Sequence, residues 1–211
     1  MNKNYIIPNE WSIIENGFDV ENVEASESLF SIGNGSMGQR ANFEEDYSGS
    51  TFQGSYIGGI YYPDKTRVGW WKNGYPEYFA KVLNAPNWIG IHIAINGTKF
   101  DLNTCEISNF KRELNMKEGW LGRSFNAQLA SGEQIEVTAK RFVSIDFNET
   151  GAIEYHIKAL NFSGEITYAP YIDAGIENED SNYDEFFWEI LEIVEGENSG
   201  CIHSKTLKTE F

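Results

Sequence analysis

A run of alternating isoleucines that leads into an Asn-Gly pair constrains the fold of this chain more than any other stretch. The isoleucines occupy every second position, so an extended backbone places them on one face: Ile89, Ile91, Ile93 and Ile95. Asn96-Gly97 follows directly. Because both residue types tolerate positive φ, this pair is a strong signal for a tight hairpin turn. The pattern predicts a β-hairpin whose second strand occupies residues 98–102.

Alternation of the same period recurs along the second half of the chain. Apolar residues take every second position in three further stretches, the last of them weaker: Ile135, Val137 and Ala139; Ile153, Tyr155, Ile157 and Ala159; Ile166, Tyr168 and Ile172. Turn-forming residues separate these stretches at 131–132, 148–151 and 161–164. Many short strands with hardly a helical stretch between them favour a mainly β fold, a large antiparallel β-sandwich (super-sandwich) with few short helical turns.

Two segments fit this interpretation less well. Residues 78–83 precede the triplet at 84–86, and they fit one or two helical turns that the proline at position 86 would stop. Residues 183–194 contain apolar residues at spacings that suit a helix as well as a strand. Periodicity alone leaves both alternatives open for the second segment.

A glycine-rich block at residues 27–45 supports two incompatible interpretations. Gly33, Gly35 and Gly38 follow a short apolar run and match the G-x-G-x-x-G pattern of dinucleotide-binding sites. Such a site also needs a helix that begins at the third glycine and an acidic residue about 20 positions later. The residues after Gly38 instead carry no helical apolar stripe and run into a second glycine-rich segment, 49–59. The block is therefore predicted to form tight backbone turns.

Charge and composition exclude several functional classes. A net charge of −16 repels phosphate backbones, and the 16 Lys and Arg residues are scattered singly along the chain. No apolar run approaches the roughly 20 residues that a membrane span needs, and the first residues lack the apolar core of a signal peptide. We therefore expect a globular cytoplasmic protein with no nucleic-acid and no membrane partner.

The cysteines and histidines form no recognisable motif. Cys105 and Cys201 lie far apart without a third partner, which fits two reduced structural thiols. His92, His156 and His203 are isolated in sequence, so ordinary strand histidines are predicted. No metal and no cofactor is expected.

Several longer motifs follow one another along nearly the whole chain. They occupy residues 11–15 (WSIIE), 27–45, 54–61 (GSYIGGIY), 84–88 (NAPNW), 112–119 (RELNMKEG) with Arg123, 140–144 (KRFVS), 171–173 (YID) and 177–180 (ENED). In this order they resemble the N-terminal domain of glycoside hydrolase family 65, the family of maltose, trehalose and kojibiose phosphorylases. A series of spaced blocks is more specific than any single motif, and it makes the three glycines part of the family signature.

The resemblance implies a β-sandwich domain that accompanies a catalytic domain. In this family the sandwich is followed by a helical linker and an (α/α)6 barrel, which carries the catalytic acid and the phosphate site. Residues 1–211 are therefore predicted to form the N-terminal sandwich, to stop inside it, and to contain no catalytic residue. The complete protein is expected to be an inverting phosphorylase that moves a glucosyl unit from an α-linked disaccharide, such as maltose, to inorganic phosphate as co-substrate.

The carboxylates and arginines support a structural role. Glycosidase chemistry uses two carboxyl groups roughly 5–10 Å apart. The densest carboxylate groups, at 44–46 and 177–180, are predicted to lie on solvated loops because the chain is so acidic. Four arginines are expected to form structural ion pairs with neighbouring carboxylates, among them Glu44, Glu45 and Glu113: Arg40, Arg112, Arg123 and Arg141.

One loop, at residues 69–78, is the candidate for contact with sugar. It contains aromatic rings beside an amide in a glycine- and proline-containing stretch: Trp70, Trp71, Asn73 and Tyr75. Such a platform suits the apolar face and the hydroxyls of a saccharide. The same rings also suit packing against a barrel or a second subunit, so an autonomous carbohydrate-binding module and a homo-oligomer both remain open.

Overall fold

The computed structural model describes residues 5–66, 74, 76–178 and 186–207. Within these residues the helices are α1 (Val23–Leu29) and two 3-10 turns, Val20–Asn22 and Leu102–Thr104. The strands in chain order are β1 (Ile6–Pro8), β2 (Ser12–Asn16), β3 (Ile32–Gly33), β4 (Met37–Gln39), β5 (Ser55–Ile57), β6 (Tyr61–Lys65), β7 (Tyr78–Val82), β8 (Ile91–Ile95), β9 (Thr98–Lys99), β10 (Glu106–Asn115), β11 (Trp120–Gln128), β12 (Gln134–Val143), β13 (Gly151–Ala159), β14 (Ile166–Pro170), β15 (Trp188–Glu195) and β16 (Gly200–Thr206).

The strands form antiparallel sheets, as the sequence predicts. The largest sheet has six strands in the order β1-β2-β10-β11-β12-β13. A three-stranded sheet, β14-β8-β9, shares its core with the largest sheet, and a second three-stranded sheet is β3-β4-β5. Two hairpins, β6-β7 and β15-β16, complete the described part of the chain.

The main hydrophobic core lies between the six-stranded sheet and the β14-β8-β9 sheet. Strands β8, β11 and β12 contribute its central side chains, which are nearly all inaccessible: Ile91, Ile93, Ile95, Phe125, Ile135 and Val137. Exposed and buried positions alternate along β12 over its whole length. This period of two places one face of each strand in the core, which is the arrangement of a β-sandwich.

The predicted Asn-Gly hairpin is confirmed, with a shorter second strand. Asn96 and Gly97 both have positive φ, 50° and 77°, and Ile95 pairs with Thr98. Strand β9 ends at Lys99, because the Asp101 carboxylate accepts a hydrogen bond from the Asn103 amide and begins a 3-10 turn.

The helical turns suggested for residues 78–83 are wrong, because this segment is strand β7. It pairs with β6 from Tyr61–Val82 to Lys65–Tyr78. The second ambiguous segment is strand β15 from Trp188 onward, and this strand pairs with β16. In both hairpins a partner strand supplies the hydrogen bonds, and local periodicity does not reveal that partner. None of the helices among the described residues has the length and apolarity needed to span a bilayer.

Candidate functional site

The residues of the predicted sugar-contacting loop lie outside the described residues: Trp70, Trp71, Asn73 and Tyr75. The loop connects strands β6 and β7, whose last described pair is Lys65 with Tyr78. The backbone amide of Thr66 donates to the carbonyl of Glu77 at 2.9 Å, just before the loop begins. Sugar contact by this loop stays a prediction.

The glycine-rich block forms a β-hairpin. Gly33 on β3 pairs with Gly38 on β4, and Gly35 lies in the turn between them with φ +91°. Asn34 fixes this turn, because its side-chain oxygen accepts from the amides of Ser36 and Met37 at 2.9 and 2.8 Å. A strand continues after the third glycine where a dinucleotide site would need a helix. The turn interpretation is confirmed.

A pair of matched substitutions separates the roles of two glycines in this block. Gly35→Ala is expected to lower the free energy of unfolding by about 1–2 kcal/mol, since an L-residue is strained at positive φ. Gly38→Ala is expected to cost less than about 0.5 kcal/mol, because its Cβ would meet nothing nearer than the Ile32 carbonyl at 3.8 Å. Urea unfolding of both variants measures the difference. A larger cost at Gly38 would contradict the turn account.

Three buried arginines line the inner face of the six-stranded sheet. Arg112 on β10 and Arg123 on β11 are register partners, and Arg141 lies on β12. The segment after β4 crosses this face and brings in Glu44 and Glu45, each only 4% exposed. The prediction that these two carboxylates lie on a solvated loop is therefore wrong. Burial of charge is tolerated here because each carboxylate faces a guanidinium group.

Arg123 and Arg141 neutralise the two carboxylates, which confirms their predicted role as structural ion pairs. Arg123 donates to both oxygens of Glu45 and to one of Glu44, all at 2.5 Å. Arg141 donates to the other oxygen of Glu44 at 2.9 Å. Burial alone would raise the pKa of Glu44, but the two arginines outweigh it and hold that pKa below the usual value of a glutamate. A general acid of a glycosidase needs a raised pKa, so this cluster does not suit acid catalysis.

The predicted ion pair with a carboxylate is confirmed for Arg112 but, among the described residues, not seen for Arg40. Arg112 pairs with Glu15, at 3.5 Å, and not with Glu113, whose partner is Lys111 at 2.7 Å. The strand register explains this, because Arg112 and Glu15 are cross-strand neighbours on β10 and β2. Arg40 donates a hydrogen bond to the backbone carbonyl of Glu24 at 3.3 Å, and this bond does not involve a carboxylate group.

The histidines lie at the protein surface beside single carboxylates. His92 Nδ1 is 2.9 Å from Asp46, and its ring stacks on Tyr171 with 4.2 Å between centroids. His156 and His203 are exposed, and each faces a glutamate of its own or the neighbouring strand. A catalytic triad needs a nucleophile hydrogen-bonded to the second ring nitrogen of the histidine. The ring-nitrogen contacts of these three histidines among the described residues are with carboxylates, which are not such nucleophiles.

A groove of about 490 Å³ opens on the solvent face of the six-stranded sheet. Trp120 and Phe142 contribute its aromatic surface, and Glu118, Lys140 and Glu154 its charges. The Trp120 indole donates to Glu118 at 2.7 Å, and the Lys140 ammonium lies 4.6 Å from the indole ring. The Glu118 carboxylate is thus bound by the indole, while Glu154 pairs with His156 at 2.8 Å. No spacing in the sequence marks this groove, because it depends on the register between strands β11 and β12.

A comparison with protein families decides what kind of domain this is. The model of the glycosyl hydrolase family 65 N-terminal domain matches residues 13–211. The chain belongs to glycosyl hydrolase family 65. The family resemblance is thus confirmed, and the glycine hairpin and the buried arginines belong to the sandwich of a family 65 domain.

Individual relatives agree with the family 65 assignment. Maltose phosphorylase of Bacillus subtilis (strain 168) is 46% identical over 202 residues, which are 96% of this chain and 27% of that protein. The α,α-trehalose phosphorylase of Thermoanaerobacter brockii is 33% identical over 96% of this chain and 28% of its own length. The structure of a putative kojibiose phosphorylase from human microbiome superposes with a TM-score of 0.86 at 26% identity, over 99% of this chain and 27% of that one. The chain spans little more than a quarter of these relatives.

Proposed function

We propose that this chain is the non-catalytic sandwich domain of an inverting disaccharide phosphorylase. The observation that carries the proposal is the 46% identity to a maltose phosphorylase across 96% of the chain. The substrate is an α-linked disaccharide, with maltose as the first candidate, and inorganic phosphate is the co-substrate. The 27% share of that relative's length leaves room for a separate catalytic domain in a longer protein.

The proposed reaction breaks one glycosidic bond without water. A phosphate oxygen attacks the anomeric carbon from the face opposite the glycosidic oxygen, and an acid protonates that oxygen as the C–O bond breaks. The products are free glucose and a glucose 1-phosphate of inverted, β configuration. In this domain two arginines hold the buried Glu44 carboxylate in its ionised form, which supports placing the acid elsewhere.

The 211-residue chain alone is expected to release no glucose 1-phosphate from maltose in phosphate buffer. The physical reason is that Glu44 and Glu45, in one of its two densest carboxylate groups, are ion-paired and inaccessible. The complete protein, of which this chain is a part, is expected to release glucose from maltose, kojibiose or trehalose only when phosphate is present. Enzymatic assay of glucose and glucose 1-phosphate, with sulfate in place of phosphate as the control, measures both.

Two outcomes would contradict this proposal in different ways. Phosphate-dependent turnover by the 211 residues would show that the domain is itself catalytic. A complete protein that releases glucose equally well in sulfate would be a hydrolase of the same family.

We also propose a cytoplasmic location and a homo-oligomeric state. Cys105 is half-buried and Cys201 exposed, and both are free thiols, which suits a reducing compartment. Large apolar side chains on strands β7 and β15 are exposed, for example Val82 at 60% and Ile193 at 58%. Such apolar surface is typical of an interface with another domain or subunit.

A further inference from the structure

The groove of about 490 Å³ on the solvent face of the six-stranded sheet has no part in the proposed function. We call it the Trp120 groove. Its main side chains come from the turn between β10 and β11 and from strands β11, β12 and β13: Glu118, Trp120, Lys140, Phe142, Ile153 and Glu154. Its volume falls in the range of small-ligand sites.

Strand register places charged and aromatic side chains of this groove side by side. Lys140 on β12 is the register partner of Glu154 on β13 and of Gly122 on β11. Phe142 lies two residues further along β12 and therefore points to the same face of the sheet. Phe142 is 42% exposed, and the lysine and the glutamate are exposed as well. A ligand in the groove can thus reach these groups from solvent.

The Trp120 ring is held in one orientation from two sides. A Cβ atom at Gly122 would lie only 2.9 Å from the ring, so the indole occupies the space that a side chain at this position would fill. The indole nitrogen donates to the Glu118 carboxylate at 2.7 Å. The aromatic wall of the groove is thus preorganised, which lowers the entropic cost of binding a ligand against it.

Three charged groups of the groove have hydrogen-bonding capacity left for a ligand. The Lys140 ammonium lies 4.6 Å from the centroid of the Trp120 ring, while its cross-strand neighbour Glu154 pairs with His156 at 2.8 Å. Within the described part of the chain, Lys140 donates no hydrogen bond, and Glu118 and Glu154 each use one carboxylate oxygen. The groove therefore offers an ammonium donor and two carboxylate acceptors.

This combination favours a neutral ligand that carries hydroxyl groups. The two carboxylates oppose phosphate and other anions, and the Lys140 ammonium opposes a cation. A sugar hydroxyl both donates and accepts, so it can bond to an ammonium and to a carboxylate at once. The apolar face of a sugar ring suits the exposed ring of Phe142.

We propose that the Trp120 groove binds one saccharide unit, whose ring packs on Phe142 beside Trp120 and whose hydroxyls bond to Lys140, Glu118 and Glu154. This inference concerns binding by the domain itself, so it holds or fails independently of phosphorolysis by a longer protein. It is also separate from the predicted sugar contact of the loop at residues 69–78.

Titration of the 211-residue chain with maltose, followed by nuclear magnetic resonance of the indole N–H groups, tests the proposal. The chain has six tryptophans, and the variant Trp120→Phe identifies the Trp120 signal by its loss. This signal is expected to shift with a Kd on the order of 1 mM, as suits a small site with a few hydrogen bonds. Because the signal belongs to the groove, it separates binding here from binding beside another tryptophan.

Two variants each remove one proposed contact with the sugar. Phe142→Ala removes the exposed ring, and Lys140→Met removes the ammonium donor but keeps an unbranched chain over the indole. Each variant is expected to weaken maltose binding by about fivefold or more. Tyr168→Ala is the matched control, because Tyr168 is similarly exposed, at 46%, on strand β14 of the other sheet. This control is expected to bind maltose like the parent chain.

Three results would overturn the proposal. The first is a Trp120 signal that does not move up to about 50 mM maltose, whether or not other indole signals move. The second is an affinity for maltose that is unchanged in Phe142→Ala and Lys140→Met, or lowered equally in the control. The third is inorganic phosphate that shifts the Trp120 signal where maltose does not. Unchanged positions of the other five indole signals show that a variant remains folded.

Discussion

Arg123→Met is expected to lower the free energy of unfolding by about 3–5 kcal/mol at pH 7. Arg123 is the ion-pair partner of Glu45 and shares Glu44 with Arg141. Without it, the buried Glu45 carboxylate keeps only weak compensation from the Tyr155 hydroxyl, which donates to it at 3.1 Å. Burial would lower the pKa of Arg123, but Glu45 and Glu44 outweigh burial and raise that pKa. The folded state therefore favours the charged form of the Arg123 side chain.

Urea unfolding followed by tryptophan fluorescence measures this loss. Lys111→Met is the control, because it breaks the ion pair with Glu113 on the exposed face of the same sheet. The control is expected to cost less than about 1 kcal/mol. Similar small losses in both variants would show that the buried cluster contributes little to stability.

The double variant Glu15→Leu/Arg112→Met is expected to be as stable as the parent chain or more stable, by up to about 4 kcal/mol. This pair is buried but poorly matched: the Arg112 Nε to Glu15 Oε2 distance is 3.5 Å, and Arg112 Nη1 and Glu15 Oε2 make no hydrogen bond. Burial lowers the pKa of Arg112 to about 10 in spite of Glu15, and burial raises the pKa of Glu15. Both shifts mean that the folded state disfavours the charged forms.

Aromatic surroundings allow the replacement side chains to pack. The Arg112 guanidinium lies 5.2–5.6 Å from the rings of Phe30, Phe43 and Phe110, which a methionine side chain can also contact. Glu15→Leu alone is expected to be destabilising, since it leaves the Arg112 charge buried without a partner. Urea unfolding of the single and double variants measures the coupling. A double variant less stable than Glu15→Leu alone would contradict this account.

Local pattern was enough to predict the sandwich and its hairpin. The isoleucine alternation predicts the buried face of β8, and the Asn96-Gly97 turn follows from residues that accept positive φ. Strands β12 and β13 were predicted from the same period and are confirmed. Strand β7 was missed, because its hydrogen bonds come from β6 across a loop and its side chains are largely exposed.

Which charges meet in the core could not be predicted from spacing. Arg123 and Glu45 are far apart in sequence, and they meet because the segment after β4 crosses the inner face of the large sheet. Glu113, one of the carboxylates expected to pair with an arginine, is the sequence neighbour of Arg112 but points to the opposite face of the strand.

The sequence by itself determined the strand character of this protein, its tight turns and its membership of glycosyl hydrolase family 65, because these depend on period, turn chemistry and the order of motifs. Only the tertiary structure decided which carboxylate faces which arginine and that the glycine block is a hairpin held by Asn34. Those properties depend on strand register and on contacts between distant segments, which sequence spacing does not contain.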